Sequence, residues 1–447
     1  MFLVRGKYVV TMDDRFRIFK RGCVVVDGNV IVDVGPFDDL RKIYRCDEVV
    51  GDDWHVVVPG FVNCHYHSRE QLAVTLFPDG LGETEWFWNY VLPYHEALSP
   101  EDEKLAFELA LTAMVRNGVT TFSDGGLLFP DTTLTALEKI PLRCYASTWC
   151  WDIPQKIHKT TEQAFREIVD LYTKYHGKNN GLLNVCATPI SVLTCSRKLL
   201  TEVASWARQK GLKTSIHVAS FVEEVEKCHQ TFGTTPADYL KGIGVLDQSV
   251  NLLHAVHLSD GDVEAVARSG AGVVCCPTSS TKKGKGLAVR GKFPELLEKG
   301  VKVGLGGDGA PSSQHLDMLR MASLFAGLFR DSRMDAKAVK AVDALKALTI
   351  GGAEVLGASA VTGSIEKGKK ADLVLLDLRD PCLIPLTDVV QALVFSATGS
   401  AVDTVIVDGK ILVEGGVVKN IDYREIAFEA EKAVEKIAAK MGLQIPM

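Results

Sequence analysis

A chain of 447 residues exceeds what one compact core usually holds, so a large barrel or doubly wound domain with a smaller companion is expected. With 47% hydrophobic and 24% charged residues and a formal net charge of -6, the composition excludes disorder and offers no broad basic surface for nucleic acid. No segment reaches membrane-spanning length without charges or glycines, and the start, MFLVRGKYVVTMDD, lacks the long apolar core of a signal peptide, so a cytoplasmic protein without a membrane partner is expected.

Up to Pro59 the chain consists of short alternating segments, KYVVTM, GCVVVDGNVIVDVG and EVVGDDWHVVVPG, with Asp27-Gly28-Asn29 as a hairpin turn. From 60 to 355, buried-strand runs alternate with helical patterns. FVNCHYH comes first, then GVTTFSDGG after LAFELALTAMVRNG, LLNVCATPI, and KTSIHVAS after LLTEVASWARQKG. VNLLHAVHLSD, GAGVVCCPTSS and VKVGLGGDG continue the series. Regular β-then-α alternation on this scale predicts an α/β fold with a (β/α)8 TIM barrel, whose chemistry lies at the strand C-termini. Near 362 the β texture returns in GSIEKGKKADLVLLDL and AVDTVIVDGKILVEGGVVKN. The expected organisation is a catalytic barrel over 60–355 beside a small β-sandwich built from both chain ends, 1–59 and 356–447. The last stretch, YREIAFEAEKAVEKIAAKM, reads as a surface helix belonging to that smaller part. The eleven cysteines are scattered, several within apolar runs, which suits reduced, buried thiols better than a disulfide framework.

Several predicted barrel strands end in a potential metal ligand. His65 and His67 close the first; side chains two apart on a strand face the same side and can share one ion. His217 ends KTSIH, His254 lies in NLLHAVH, and Asp308 ends VGLGGD. Three imidazoles and a carboxylate suit zinc or iron(II) with a position left for water, whose pKa the metal lowers, so hydrolysis is the expected reaction. A lone histidine in an apolar strand is more often a satisfied core residue than a ligand. His55, His95, His158, His176, His229 and His315 are read in that way or as surface residues, and His257, three positions after His254, is expected on the opposite face. Asp308 by itself could cap the turn in GGDGAPSS.

PGFVNCHYH, the segment LGETEWFWNYVLPYHEALSPEDEKLAFELALTAMVRNGVTTFSD, then HVAS, LLHAVHLSD, CPTSS, LGGDGAPSSQHLDM and GSIEKGKKADLVLLD together resemble the amidohydrolase superfamily. Within it they are similar to the branch of S-adenosylhomocysteine and methylthioadenosine deaminases, guanine-type deaminases and s-triazine chlorohydrolases or aminohydrolases. The resemblance implies one divalent metal per subunit, zinc with iron as the alternative, held by His65, His67, His217 and Asp308. It further implies that His254 orients the attacking water or the leaving group, that Asp308 accepts the water's proton, and that the chain forms a homodimer or larger assembly. The reaction it implies is attack of a metal-bound hydroxide on a small-molecule nitrogen heterocycle, expelling ammonia or an amine.

The pattern breaks in two places. Deaminases of this branch carry His-x-x-Glu after the third metal histidine, whereas this chain has His217-Val218-Ala219-Ser220, and serine cannot do carboxylate acid/base work at neutral pH. At Ile190, nucleoside-type members have a substrate-contacting histidine that an apolar side chain cannot replace. Three explanations stand. Another carboxylate has taken over, with Glu70, Glu223 and Glu224 as candidates; the plainer reading of the last two, preferred here, is a solvated helix face. For Glu70 a catalytic role and a salt bridge with Arg69 or a neighbouring lysine are held equal. Alternatively, the bond cleaved differs, as in halide displacement or amide hydrolysis, or catalysis has been lost and a metal-binding homologue remains. Candidate substrate walls are Trp86 and Trp88 in TEWFWNYV, together with Ser220, Ile190, Pro311 and Ser312. The segment SSTKKGKGLAVRGK (279–292), with five cations among glycines, reads as a solvated loop beyond the seventh strand.

Overall fold

The computed structural model describes residues 1–46, 48–153 and 159–444; His158 lies outside them. Eight parallel strands run in chain order: β1 (Phe61–His67), β2 (Val119–Asp124), β3 (Arg143–Ala146), β4 (Leu183–Val185), β5 (Thr214–Val218), β6 (Val250–His254), β7 (Gly272–Cys275) and β8 (Val303–Leu305). β1 to β4 pair in sequence, and so do β5 to β8. Two links close them into a ring: bridges Ala187↔Thr214 and Ser191↔His217 join the two sheets on one side, and Asp308, just beyond β8, pairs with Tyr66 of β1 on the other. Seven of these strands coincide with the apolar runs read from sequence. β3 does not: it is four residues long and opens on Arg143, whose side chain is buried against Asp372.

Local sequence explains the helices that support the ring. Pro100–Arg116 starts with a capping box between Ser99 and Asp102, and Pro100 sits in the first turn, where its missing N–H costs nothing. Arg197–Gln209 is capped by Ser196 and buries Leu199, Leu200, Val203, Ala204 and Ala207, one face of a 3.6-residue period.

The two chain ends interleave in one nine-stranded sheet. Leu373–Asp377 pairs antiparallel with His55–Pro59, which pairs with Phe2–Val10. The hairpin joining Val402–Val407 to Lys410–Glu414 turns at Asp408 and Gly409, both at positive φ, as a type I′ turn requires. Val4, Val24, Ile31, Val57, Leu373 and Ile406 share one buried cluster, so strands from both ends build a common core. The chain passes from His55–Pro59 through Gly60 directly into β1, which ties this sheet to the barrel.

The C-terminal helix, Tyr423–Met441, does not lie on that sheet. Its Ala430, Ala433 and Ile437 pack with Tyr94, Ala97, Leu98 and Ala106, and Lys436 pairs with Asp102 at 3.2 Å. It covers the helices that follow β1. All eleven cysteines are free thiols. No helix among the described residues is long and apolar enough to cross a membrane.

Candidate metal centre and active-site cavity

His65 and His67 leave β1 on one face, with ring centroids 4.6 Å apart. His217 near the end of β5 lies 4.8 Å from His65, and His254 at the end of β6 lies 5.4 Å from His217. Asp308 completes the group: its Oδ1 is 3.5 Å from His65 Nε2 and 3.6 Å from His67 Nε2, and its Oδ2 is 3.9 Å from His254 Nε2. Ala219, His254, Ala255 and Asp308 all adopt positive φ, so the backbone is in the left-handed region where three strands meet the cluster. Gly125 is required beside it, because a Cβ there would stand 2.5 Å from the His67 ring.

The electrostatics favour a cation. Burial and neighbouring His65 push His217 down to about 3, and burial likewise holds His67 well below the usual imidazole range. Burial by itself would raise the Asp308 carboxyl, but Lys285 and His254 hold it well below the carboxylate range. Neutral imidazoles thus face an ionised carboxylate, and His65 Nε2 is buried with no hydrogen-bond partner. Two overlapping sets, His65–His67–His217 and His65–His254–Asp308, each bring their donor atoms within 4.8 Å, and donors of this type fit a divalent metal such as zinc. The surroundings orient them. His217 Nδ1 donates to the Ile190 carbonyl at 2.9 Å, leaving Nε2 towards the cluster. Ser279 Oγ donates to Asp308 Oδ2 at 2.5 Å, while Asp308 Oδ1 also accepts from Gly309 N, so the turn cap and the candidate ligand are the same side chain.

His67, His217, His254 and Asp308 of the cluster line a cavity of about 550 Å³. Trp86, Trp88, Ile190, Ser220 and Ser312 line it, whereas Pro311 does not; the Pro311 carbonyl instead accepts from Lys282. Trp86 and Trp88 are on a helix, Glu83–Ala97, which widens to a π turn at Phe87–Val91 and presents aromatic rings to the cavity.

Two of these readings change, and a third is filled in. The cationic segment 279–292 is not a solvated loop: Pro277–Lys282 and Leu287–Arg290 are helical, and Lys285 between them is buried. His257 holds this turn by contacting the Lys285 carbonyl at 2.9 Å. Lys285 Nζ lies 3.4 Å from His254 Nδ1 and 3.7 Å from Asp308 Oδ2. By donating to Nδ1 it leaves the proton of the neutral His254 ring on Nε2, the nitrogen facing Asp308. Glu224 is not a solvated helix-face residue either: its carboxyl turns into the cavity wall beside Ser220. His95 is the satisfied core histidine expected: buried, it contacts Glu70 Oε1 at 3.2 Å and accepts from Arg69 at 3.0 Å. Glu70 also lies 4.0 Å from Arg69, whose guanidinium covers the Trp149 ring, and burial pushes the Glu70 carboxyl up to about 8. The spacing of Lys285 and His95 carried no sequence signal, because each approaches from a segment far from the strand ends.

The sequence matches the amidohydrolase family over residues 56–412. This chain belongs to the amidohydrolase family. A short second match, to an imidazolonepropionase-like composite domain of bacteria, covers residues 22–44 in the terminal sheet. Among similar amidohydrolases is a 5-methylthioadenosine/S-adenosylhomocysteine deaminase of Pelotomaculum thermopropionicum, 33% identical over 431 residues, 96% of this chain and 97% of the relative. A 5'-deoxyadenosine deaminase of Methanosarcina mazei is 33% identical over 98% of this chain and 99% of its own length. An adenosine deaminase from Xanthomonas campestris, crystallised with zinc, superposes with a TM-score of 0.93 at 26% identity, covering 98% of both chains. Atrazine chlorohydrolase from Arthrobacter aurescens, complexed with zinc, shares the fold with a TM-score of 0.89 at 21% identity over 97% of this chain and 100% of its own.

Proposed function

We propose that this amidohydrolase is a metal-dependent aminohydrolase, a deaminase acting on a nitrogen heterocycle. The observation that carries the reading is the convergence of His65, His67, His217, His254 and Asp308 at the strand ends, the last four lining one aromatic-walled cavity. The names of the similar relatives support the same reaction. The reading takes His65, His67, His217 and Asp308 as ligands of one zinc ion per subunit, with iron as the alternative. When bound, such a cation supplies an acidified water at neutral pH.

The side chains then have separate tasks. Trp86 and Trp88 hold a flat ring against the wall, and Ile190 and Ser312 bound it. Asp308 accepts a proton from the attacking water and returns it to the departing amine. His254, with its proton on Nε2, donates a hydrogen bond to the water or the leaving group. Glu70, kept protonated by burial against the opposing charge of Arg69, can donate to a substrate acceptor. The same reading expects a homo-oligomer in the cytoplasm, with residues 60–355 as the catalytic unit.

The test incubates zinc-loaded protein with aminated purines, pyrimidines and triazines, chlorinated triazines and cyclic amides, followed by mass spectrometry, with Asp308→Asn as control. Exchange of amino for hydroxyl is the expected result. Loss of chlorine or ring opening would move the assignment to a chlorohydrolase or amide-bond hydrolase, the reading that the missing glutamate at Ser220 favours. No change relative to the control would overturn it in favour of a non-catalytic metal-binding homologue.

A further inference from the structure

The helix Val222–Phe232 follows β5, and its N-cap residue, Phe221, offers no side-chain cap. Glu224 in the first turn reaches back instead, and its Oε2 accepts from the Ser220 backbone N–H at 2.8 Å. One oxygen of a carboxylate is enough for such a cap. The other, Oε1, has no hydrogen-bond partner, and neither has Ser220 Oγ; both residues line the cavity. Two polar groups left unpaired in a cavity are costly unless a ligand pairs them. The serine at 220 is short, and the Glu224 carboxyl enters the wall at that residue from the following turn.

We propose that Glu224 is the acid–base carboxyl of this site, doing from the helix what Ser220 cannot do from the strand end. The proposal rests on the aminohydrolase reading and adds the group that reading lacks. Burial pushes the Glu224 carboxyl up to about 7 against the opposing pull of the Ser220 and Ala219 backbone N–H groups and of Lys285, so near neutrality it can hold a proton or release one. In the addition step the water oxygen bonds to the amino-bearing ring carbon, and one water proton goes to Asp308. Glu224 gives its proton to the adjacent ring nitrogen as the carbon–nitrogen double bond opens. On collapse the carbon–amine bond breaks, Asp308 returns its proton to the amine, and the new hydroxyl gives its proton to Glu224. The products are the ring lactam and ammonia, and both carboxyls regain their starting states.

The test compares zinc-loaded wild type with Glu224→Gln, Glu224→Ala, Ser220→Glu/Glu224→Gln and, as control, Glu226→Gln on the exposed side of the helix, using the best aminated substrate from the panel. Glutamine keeps the cap to Ser220 but cannot shuttle the proton. The expected result is a kcat about 100-fold lower in Glu224→Gln with KM and zinc content unchanged, and recovery of about tenfold when the carboxyl is restored at 220. Glu224→Ala is expected to lose thermal stability as well, which separates the cap from the chemistry. Unchanged kcat in Glu224→Gln, or a loss that follows zinc content, would overturn the proposal. Absence of wild-type turnover on every aminated compound would overturn the aminohydrolase reading itself and this assignment with it.

Discussion

At the residue scale, the site is governed by what stands behind the five strand-end side chains. Ser279, fully buried, donates to Asp308 Oδ2 and limits how the carboxylate can turn. Removing an outer hydrogen bond of this kind leaves the carboxylate in place but lets it rotate. Ser279→Ala is therefore expected to lower zinc affinity by about 10- to 100-fold, measured by competition with a chromophoric chelator. Equal affinity in the two proteins would show that Asp308 is oriented by its own backbone contact with Gly309.

Glu70 gives the residue scale a pH dependence. Folded, its carboxyl titrates at about 8 because it is buried; unfolded, it returns to the ordinary 4.5. Between those values the folded protein holds a proton that the unfolded chain has lost, so this group's stabilisation is complete below 4.5 and declines as pH rises towards 8. Glu70→Gln keeps the volume and the contact with His95 but removes the titration. Guanidinium unfolding of metal-free protein should show a shallower decline from about pH 5 to 8 in the variant, and parallel profiles would remove Glu70 from this account.

At the scale of elements, the C-terminal helix is where sequence and structure part most instructively. Its amphipathic period and its limits were legible in YREIAFEAEKAVEKIAAKM, and Asp422 caps it by accepting from Arg424 N and Glu425 N. An amphipathic stripe states that a face must be buried, not against what. Small alanines at 430 and 433 let it approach the helices after β1, and Ile437 is fully buried there. Ile437→Ala should destabilise the protein by about 2–4 kcal/mol, with hydrogen exchange rising first in Leu92–Ala97 and Pro100–Arg116 rather than in the terminal sheet. Faster exchange confined to the sheet would contradict that packing.

For the whole molecule, the terminal sheet and the barrel are joined by a buried ion pair as well as by the continuous chain at Gly60. Arg143, opening β3, donates to Asp372 through Nε at 3.1 Å and through a terminal nitrogen at 3.3 Å, and both side chains are almost fully enclosed. Asp372 Oδ1 also accepts from Asp408 N in the I′ turn, so one carboxylate holds a barrel strand and a sheet hairpin together. Asp372→Ala leaves the guanidinium buried beside Asp408 alone and should cost about 3–5 kcal/mol, whereas Arg143→Met with Asp372→Leu should recover most of that loss. A double variant as unstable as the single one would mean that the charges are needed for more than their mutual pairing.

The sequence by itself determined the parallel barrel, the strand-end positions of His65, His67, His217, His254 and Asp308, and the return of the chain to β structure at its end. The reason is that strand alternation and apolar runs are local, and a ligand at the C-terminal end of a barrel strand is placed by its strand alone. Set against the family it resembles, it also has a serine at 220 where that branch carries a carboxyl. Only the tertiary structure decided what surrounds the cluster. Lys285 reaches His254 across 31 positions, His95 reaches Glu70 across 25, and Arg143 meets Asp372 across 229. The first two depend on how turns and helices seat over the barrel mouth and the third on how the terminal sheet meets the start of a barrel strand, and no periodicity encodes either. The Glu224 carboxyl belongs with them: four residues from Ser220, it could as well have faced solvent, and the direction was settled by a backbone N–H left unpaired at the start of a helix.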